Sequence, residues 1–321
     1  MLRLLEGHLT VGFALGFLAL AGCASPQDET EDTPGSPASA GTPHDSGGPR
    51  SGGSASTAPS AGTTQLNLGG SVSEPTNEEP DPTCQPKPIG VLRDFQAGGD
   101  TTTCPVNLDF QNPIWGTSAM PFMPDVGLPE SGIVQPLLGP SQKPVFSGVA
   151  KTVHSADTFA EWYRDDAKCN RSVQYELPMQ LDAASGKLTF DSAAFFPLDG
   201  VMPPASFGMS GLDDHQVMHD FHFTFELHMT FRYAGTESFH FVGDDDLWVF
   251  INGKLAIDLG GVHAPMKGDV DLPARATELG LVAGLEYPID FFQAERMTSQ
   301  SNFHVETSLA FTNCTPIIVP K

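Results

Sequence analysis

From Phe221 to Phe231 the chain reads Phe-His-Phe-Thr-Phe-Glu-Leu-His-Met-Thr-Phe, apolar at every odd position and polar at every even one. Neighbouring side chains on a strand point to opposite faces, so this period of two predicts a half-buried β-strand. Shorter runs of the same kind lie in Tyr287 to Phe291 and in Phe303 to Phe311. Asn252-Gly253 separates Leu247 to Ile251 from Leu255 to Leu259, the pattern of a two-residue hairpin. Short strands punctuated by turns predict an all-β fold, an antiparallel β-sandwich with one or two short helices. The helix is placed at Thr158 to Arg164, where Thr158 and Glu161 have capping-box spacing and Phe159, Trp162 and Tyr163 share a face.

The N-terminal part reads differently. Arg3 precedes an apolar stretch from Leu9 to Leu20, about the length of a signal-peptide core and shorter than the ~20 residues that cross a bilayer. Leu20-Ala21-Gly22-Cys23 follows and resembles the lipobox of bacterial lipoproteins. Residues 1–22 are therefore expected to be a cleaved signal peptide, with Cys23 carrying the lipid. Ala24 behind that cysteine implies, by resemblance to lipoprotein sorting rules, a lipid-anchored protein of the outer membrane or cell surface. Residues 23–83 are rich in Ser, Gly, Pro, Thr and acids and almost devoid of large apolar side chains. Such a segment cannot bury enough surface to offset its ordering, and it reads as a disordered tether with a root-mean-square reach of about 40 Å. The folded domain is assigned to 84–321.

Net charge and cysteine count narrow the chemistry. A formal charge of −23 excludes a nucleic-acid partner, which needs basic surface to neutralise phosphates. The chain has five cysteines; with Cys23 lipidated, Cys84, Cys104, Cys169 and Cys314 remain for two disulfides, in any of three pairings. Their spacing offers no CxxC zinc pattern. There is no GxSxG, HExxH or P-loop motif, so no enzyme is expected. His222 and His228 share the polar strand face with Glu226 but lie about 20 Å apart at roughly 3.3 Å per residue, too far for one zinc. His219, His240, His263 and His304 can meet only through the tertiary fold, and exposed strand histidines are expected. Glu295 and Arg296 read as an ion pair.

Three consecutive acids, Asp244, Asp245 and Asp246, stand between two apolar runs. So much like charge in a tight connection calls for compensation. A hard divalent cation such as Ca²⁺, which prefers oxygen ligands and tolerates irregular geometry, supplies it.

Five blocks in order carry a family resemblance: Phe195-Phe-Pro-Leu-Asp-Gly200, the strand Phe221 to Tyr233, Gly243-Asp-Asp-Asp-Leu-Trp-Val-Phe-Ile-Asn-Gly-Lys254, Asp258-Leu-Gly-Gly-Val-His263, and Ala294-Glu-Arg296 with Ser301-Asn-Phe303. Together they resemble the fibro-slime domain, a relative of the PA14 β-sandwich, over about Val91 to Thr312. Many fibro-slime sequences have histidines around the Ala-Glu-Arg block where this chain has Gln293 and Met297. PA14-like adhesin domains bind sugars through a Ca²⁺ held by two adjacent aspartates joined by a cis peptide. The resemblance places that pair at Asp244 and Asp245, with the shifted pair Asp245 and Asp246 as the alternative. It implies Asn302 as a further oxygen ligand, with Asp258, Asp269 and Asp271 as looser candidates. Trp248 is expected to pack against a sugar, and His263 to order the loop beside the acids. The expected function is a surface-anchored, Ca²⁺-dependent, adhesin-like carbohydrate-binding module whose partners are extracellular glycans or matrix components. The alternative is a non-catalytic structural component of an extracellular matrix or slime.

Overall fold

The structure, a computed structural model, describes residues 87–96, 98–110 and 128–312. The expectations for the signal peptide, Cys23, the tether, Cys84 and Cys314 lie outside the described residues. Two antiparallel sheets face each other. The larger runs in the order β10 (Lys254–Leu259), β9 (Asp246–Ile251), β12 (Glu286–Glu295), β7 (Phe223–Arg232), β1 (Ile89–Phe95) and β2 (Asn170–Glu176), with β14 (Ala310–Phe311) also paired to β7. The smaller runs β11 (Met266–Asp271), β8 (Ser238–Gly243), β13 (Phe303–Thr307), β4 (Lys187–Ser192) and β3 (Gln180–Asp182). A short ribbon pairs β5 (Gly211–Leu212) with β6 (Met218–His219). This is the all-β sandwich that the alternation predicts.

Between the sheets the odd-numbered residues of β7 meet Phe241, Val249, Ile251, Phe291, Phe303 and Val305 in one core. Phe303 lies at its centre, with ring centroids 4.5 Å from Phe195, 5.2 Å from Phe241 and 5.5 Å from Phe291. Each such buried side chain contributes about 1.5–3 kcal/mol relative to exposure.

The outer face of the larger sheet is covered as well. Val106, Phe110, Ile133, Phe159 and Trp162 pack over Phe95, Trp248, Phe250 and Phe292 in a second core. A Cys104–Cys169 disulfide ties this cover to the start of β2. Burial on both faces accounts for β9 being apolar at every position from Leu247 to Ile251: odd residues serve the first core and even ones the second.

The cover overturns one expectation. β7 is not half-buried, because its polar side also lies inside: Thr224, Glu226 and His228 are all buried. The predicted helix also begins earlier than expected. α1 spans Ala156–Ala160 with Ser155 as its cap; the Ser155 hydroxyl accepts the Thr158 N–H at 3.1 Å, and Thr158 Oγ1 accepts the Ser155 N–H at 3.1 Å. Ser155 has the extended backbone a cap needs, so it competes successfully with Thr158, and Glu161 falls at the C-terminal end. Phe159, Trp162 and Tyr163 are buried as the spacing predicts. The run Phe303 to Phe311 divides in two, since the chain leaves the smaller sheet after Thr307 and joins β7 at Ala310. The hairpin is as predicted, with Asn252 at φ 53° and Gly253 at φ 70°, both in the left-handed region that two-residue turns use. A second helix, α2 (Leu272–Leu279), is capped by Asp271.

Candidate functional site

The chain passes from one sheet to the other at the three aspartates. β8 ends in the smaller sheet at Gly243, and β9 starts in the larger at Asp246. Register then selects the neighbours: Phe303 opposes Gly243, which brings Asn302 beside Asp244, and Ala294 opposes Asp246, which brings residues 295–297 beside Asp245. Gly243 is required at this close approach, because a Cβ there would lie 2.6 Å from the Asn302 carbonyl oxygen.

The Asp244–Asp245 peptide is cis, the arrangement that the resemblance implies for this pair and not for Asp245–Asp246. Asn302 donates to Asp244 twice, from its backbone N–H to Oδ1 and from Nδ2 to Oδ2 at 2.8 Å. Asp245 Oδ2 accepts the backbone N–H groups of Arg296 at 2.9 Å and Met297 at 3.0 Å. Both carboxylates are thus held in place from the backbone side.

Asp246 is committed elsewhere, which corrects the expectation that all three acids ligate an ion. It is fully buried, with Arg296 Nε 2.6 Å from Oδ2, and Arg296 Nη2 and the Gly261 N–H 3.2 and 2.7 Å from Oδ1. Arg296 lies over the Trp162 ring, 4.8 Å from its centroid, and donates to the Thr152 carbonyl. Burial alone would lower the Arg296 pKa, but the charges of Asp246 and Asp245 hold it above its ordinary value. The expected Glu295–Arg296 ion pair is therefore replaced by Asp246–Arg296, because successive strand residues point to opposite faces.

Glu295 instead turns toward Asp244 and Asp245. It is buried, and its Oε2 has no hydrogen-bond partner. Burial, then the charges of Asp245 and Asp244, push its carboxyl well above the usual range. Burial likewise pushes Asp245 up to about 8, against the opposing pull of Arg296, and raises Asp244 against its hydrogen bonds from Asn302. Asp244, Asp245, Glu295 and the Asn302 amide are oxygen donors of the kind a hard cation takes; among the described residues, though, the acidic group whose ligating atoms lie within 4.8 Å of one another is Asp213, Asp214 and His215. With such an ion bound, Asp244, Asp245 and Asn302 would hold it, and it would offer coordination positions to hydroxyl ligands.

Asp244 and Asp245 line a cleft of about 320 Å³ with Val262, His263, Ala264, Met297, Thr298, Ser299 and Gln300. His263 is buried in the wall, its Nδ1 2.9 Å from the Ala264 carbonyl and its Nε2 3.4 Å from the Leu259 carbonyl. Trp248 is not available to a ligand. Its ring is fully buried between Phe159 and Trp162, and its Nε1–H donates to Asp258 Oδ1 at 3.0 Å. It lies on the outer face of β9, which the cover closes. The looser candidates are also engaged: Asp258 by Trp248 and the Gly132 N–H, Asp269 by His240, and Asp271 by its capping role.

Two features went unread in the sequence. Arg296 as the partner of Asp246 depends on a strand register that no local pattern reveals. The other is a charge network under the cover. Glu226 meets Arg93 at 2.7 Å, His228 at 2.7 Å and Lys143, while His228 also meets Asp290 at 2.7 Å. Even-numbered polar residues on β7 gave the only signal for it, and they read as a solvated face.

Residues 209–320 match the PA14 domain. The chain carries a PA14-type domain. The matched stretch contains Asp244, Asp245, Asp246, Glu295, Arg296 and Asn302. Among curated relatives, protein psiD of Dictyostelium discoideum is 38% identical over 197 residues, covering 56% of this chain and 36% of psiD. Protein psiQ of the same organism is 33% identical over 196 residues, covering 59% of this chain and 20% of psiQ. The chain thus spans between about a fifth and about a third of these relatives' length. Among solved structures, the PA14 sugar-binding domain from an RTX adhesin is 12% identical with a TM-score of 0.21, covering 32% of this chain and 54% of that one. The epithelial adhesin 6 A domain from Candida glabrata, in complex with Galβ1-3GlcNAc, is 18% identical with a TM-score of 0.26, covering 61% and 87%. At such scores these two superpositions add nothing to the fold read from the strand pairings.

Proposed function

We propose that the PA14-type domain is a Ca²⁺-dependent carbohydrate-binding module with an adhesin-like role. The observation that carries this reading is the pair Asp244 and Asp245, nearly buried side by side in the lining of one cleft, with the Asn302 amide donating to Asp244. An ion held there keeps part of its coordination sphere toward the cleft, where vicinal sugar hydroxyls can complete it. Thr298, Ser299 and Gln300 on the rim supply hydrogen-bonding groups, and Met297 and Val262 supply apolar surface. Extracellular glycans are the partner class, and binding, not catalysis, is the activity proposed. We further propose surface attachment through a lipid on Cys23; the relatives named above are eukaryotic and lend no support to a bacterial lipoprotein.

Calorimetric titration of the full chain with Ca²⁺ tests the ion. Extracellular Ca²⁺ sites bind at about 10⁻⁴–10⁻³ M, and Asp244→Asn is expected to remove one bound equivalent. An unchanged isotherm in that variant contradicts the assignment. A second reading, a matrix component with a purely structural ion, draws on one observation: none of the residues lining the cleft is a Phe, Tyr or Trp. Ca²⁺ binding without any glycan binding would favour it.

A further inference from the structure

Away from the cleft, two other acids meet inside the molecule. Asp94 lies on β1, opposite Phe223 on one side and Arg171 on the other, and Asp220 lies just ahead of β7. They are 0% and 1% exposed. Asp94 Oδ2 accepts the Phe207 N–H, but Asp94 Oδ1 and both carboxylate oxygens of Asp220 have no hydrogen-bond partner. Buried polar atoms are nearly always paired, and a buried carboxylate without a partner is costly. Three such oxygens from two side chains point to a ligand.

Burial and Asp220 push the Asp94 carboxyl up by more than the Arg171 charge pulls it down, and no Arg171 hydrogen bond reaches it among the described residues. Arg171 directs its Nη1 to the carbonyls of Ala167 and Asn170, and its guanidinium lies 4.5 Å from the centre of the Phe207 ring. His219 meets Asp199 Oδ2 at 2.6 Å, and Asp199 Oδ1 accepts the Asp220 N–H at 2.8 Å, so Asp199 adds negative charge to the group. The Ser206 hydroxyl lies beside Asp220 but gives its proton to the Val201 carbonyl at 2.7 Å. Its interaction with Asp220 lowers that carboxyl's pKa without outweighing burial. Burial, with Asp220 alongside, pushes the Asp94 carboxyl up to about 8; burial, with Asp199 alongside, pushes Asp220 up to about 7.

We propose that Asp94 and Asp220 form a second divalent-cation site, which takes Ca²⁺ through Asp94 Oδ1, the two Asp220 oxygens and the neighbouring Ser206 hydroxyl. The donors are all oxygen, with no thiolate or free imidazole among them, which selects a hard cation over zinc. The ion ties together three parts of the chain: β1, the loop carrying Ser206 and Phe207, and the entry to β7. Its role is to fix the sandwich, and it stands independently of the reading of the Asp244 cleft.

The test is Ca²⁺ titration calorimetry of the full chain in four forms: wild type, Asp94→Asn, Asp220→Asn and Asp244→Asn. Near-ultraviolet circular dichroism in EDTA checks that each is folded. Asp94→Asn and Asp220→Asn are each expected to bind one equivalent fewer than wild type and to lose part of the rise in Tm that Ca²⁺ produces. Asp244→Asn is expected to keep this equivalent. If Asp94→Asn disturbs the Phe207 contact and unfolds, Asp220→Asn decides, since among the described residues no backbone N–H donates to the Asp220 side chain. A wild-type isotherm in Asp220→Asn, or complete loss of Ca²⁺ binding in a folded Asp244→Asn chain, overturns the proposal.

Discussion

One guanidinium separates the roles of three adjacent aspartates. Arg296 takes both oxygens of Asp246 into the interior, while its own backbone N–H holds Asp245 facing the cleft. Asp246→Asn would leave Arg296 as a buried charge without its counterion, and the expected loss in a urea unfolding curve is about 3–5 kcal/mol. Asp244→Asn removes a carboxylate that burial already disfavours, so a far smaller change in stability is expected, together with loss of the bound ion. Similar losses of stability in both variants would mean that the division of roles is wrong. Trp248→Ala is expected to behave as a core truncation, costing about 3–5 kcal/mol in the same experiment, because the indole fills space between Phe159 and Trp162.

At the scale of elements, β7 shows what the sequence could and could not reveal. Its odd residues read correctly as a core face, because a period of two needs only one buried side to be visible. Its even residues read as solvated because Thr224, Glu226 and His228 are polar, and nothing local shows that Lys143 and Arg93 will meet Glu226. The same limit applied to Trp248, whose position on a strand was legible while the cover over it was not. The PA14 resemblance put Asp244, Asp245 and Asn302 in one place, and the structure does bring Asn302 onto Asp244, whereas Arg296 as the partner of Asp246 required the β9–β12 register. The buried network makes a further expectation about pH. Burial alone would push the Glu226 carboxyl up, but the hydrogen bond from His228 and the charges of Arg93, His228 and Lys143 outweigh it and hold it down at about 2. A depressed carboxyl contributes stability above its unfolded value, near 4.5, and that contribution is lost as pH falls toward 2. Burial would lower the His228 pKa, yet its hydrogen bonds to Asp290 and Glu226 raise it overall. Its contribution is therefore present below pH 6.5 and lost as pH rises through the folded value. Urea unfolding across pH is expected to show both slopes in wild type, the acid one missing in Glu226→Gln and the upper one missing in His228→Gln. Parallel curves for all three proteins would contradict this account.

For the whole molecule, the disulfide and the cover belong together. Cys104–Cys169 closes the cover onto β2, and replacing both cysteines by serine is expected to cost about 2–5 kcal/mol in denaturant unfolding. Peptide mapping without reduction is expected to recover the Cys104–Cys169 bond; free thiols at both positions would contradict it. The sandwich places Asp244 and Asp245 where the chain crosses between sheets, with Asn302 and residues 295–297 delivered by the strands on either side. The central claim is that this crossing holds an ion that contacts sugar. A glycan array probed with the full chain in Ca²⁺, in EDTA, and as Asp244→Asn tests it most directly. Glycan binding that disappears in EDTA and in Asp244→Asn is the expected result. Binding that survives both treatments would contradict the claim.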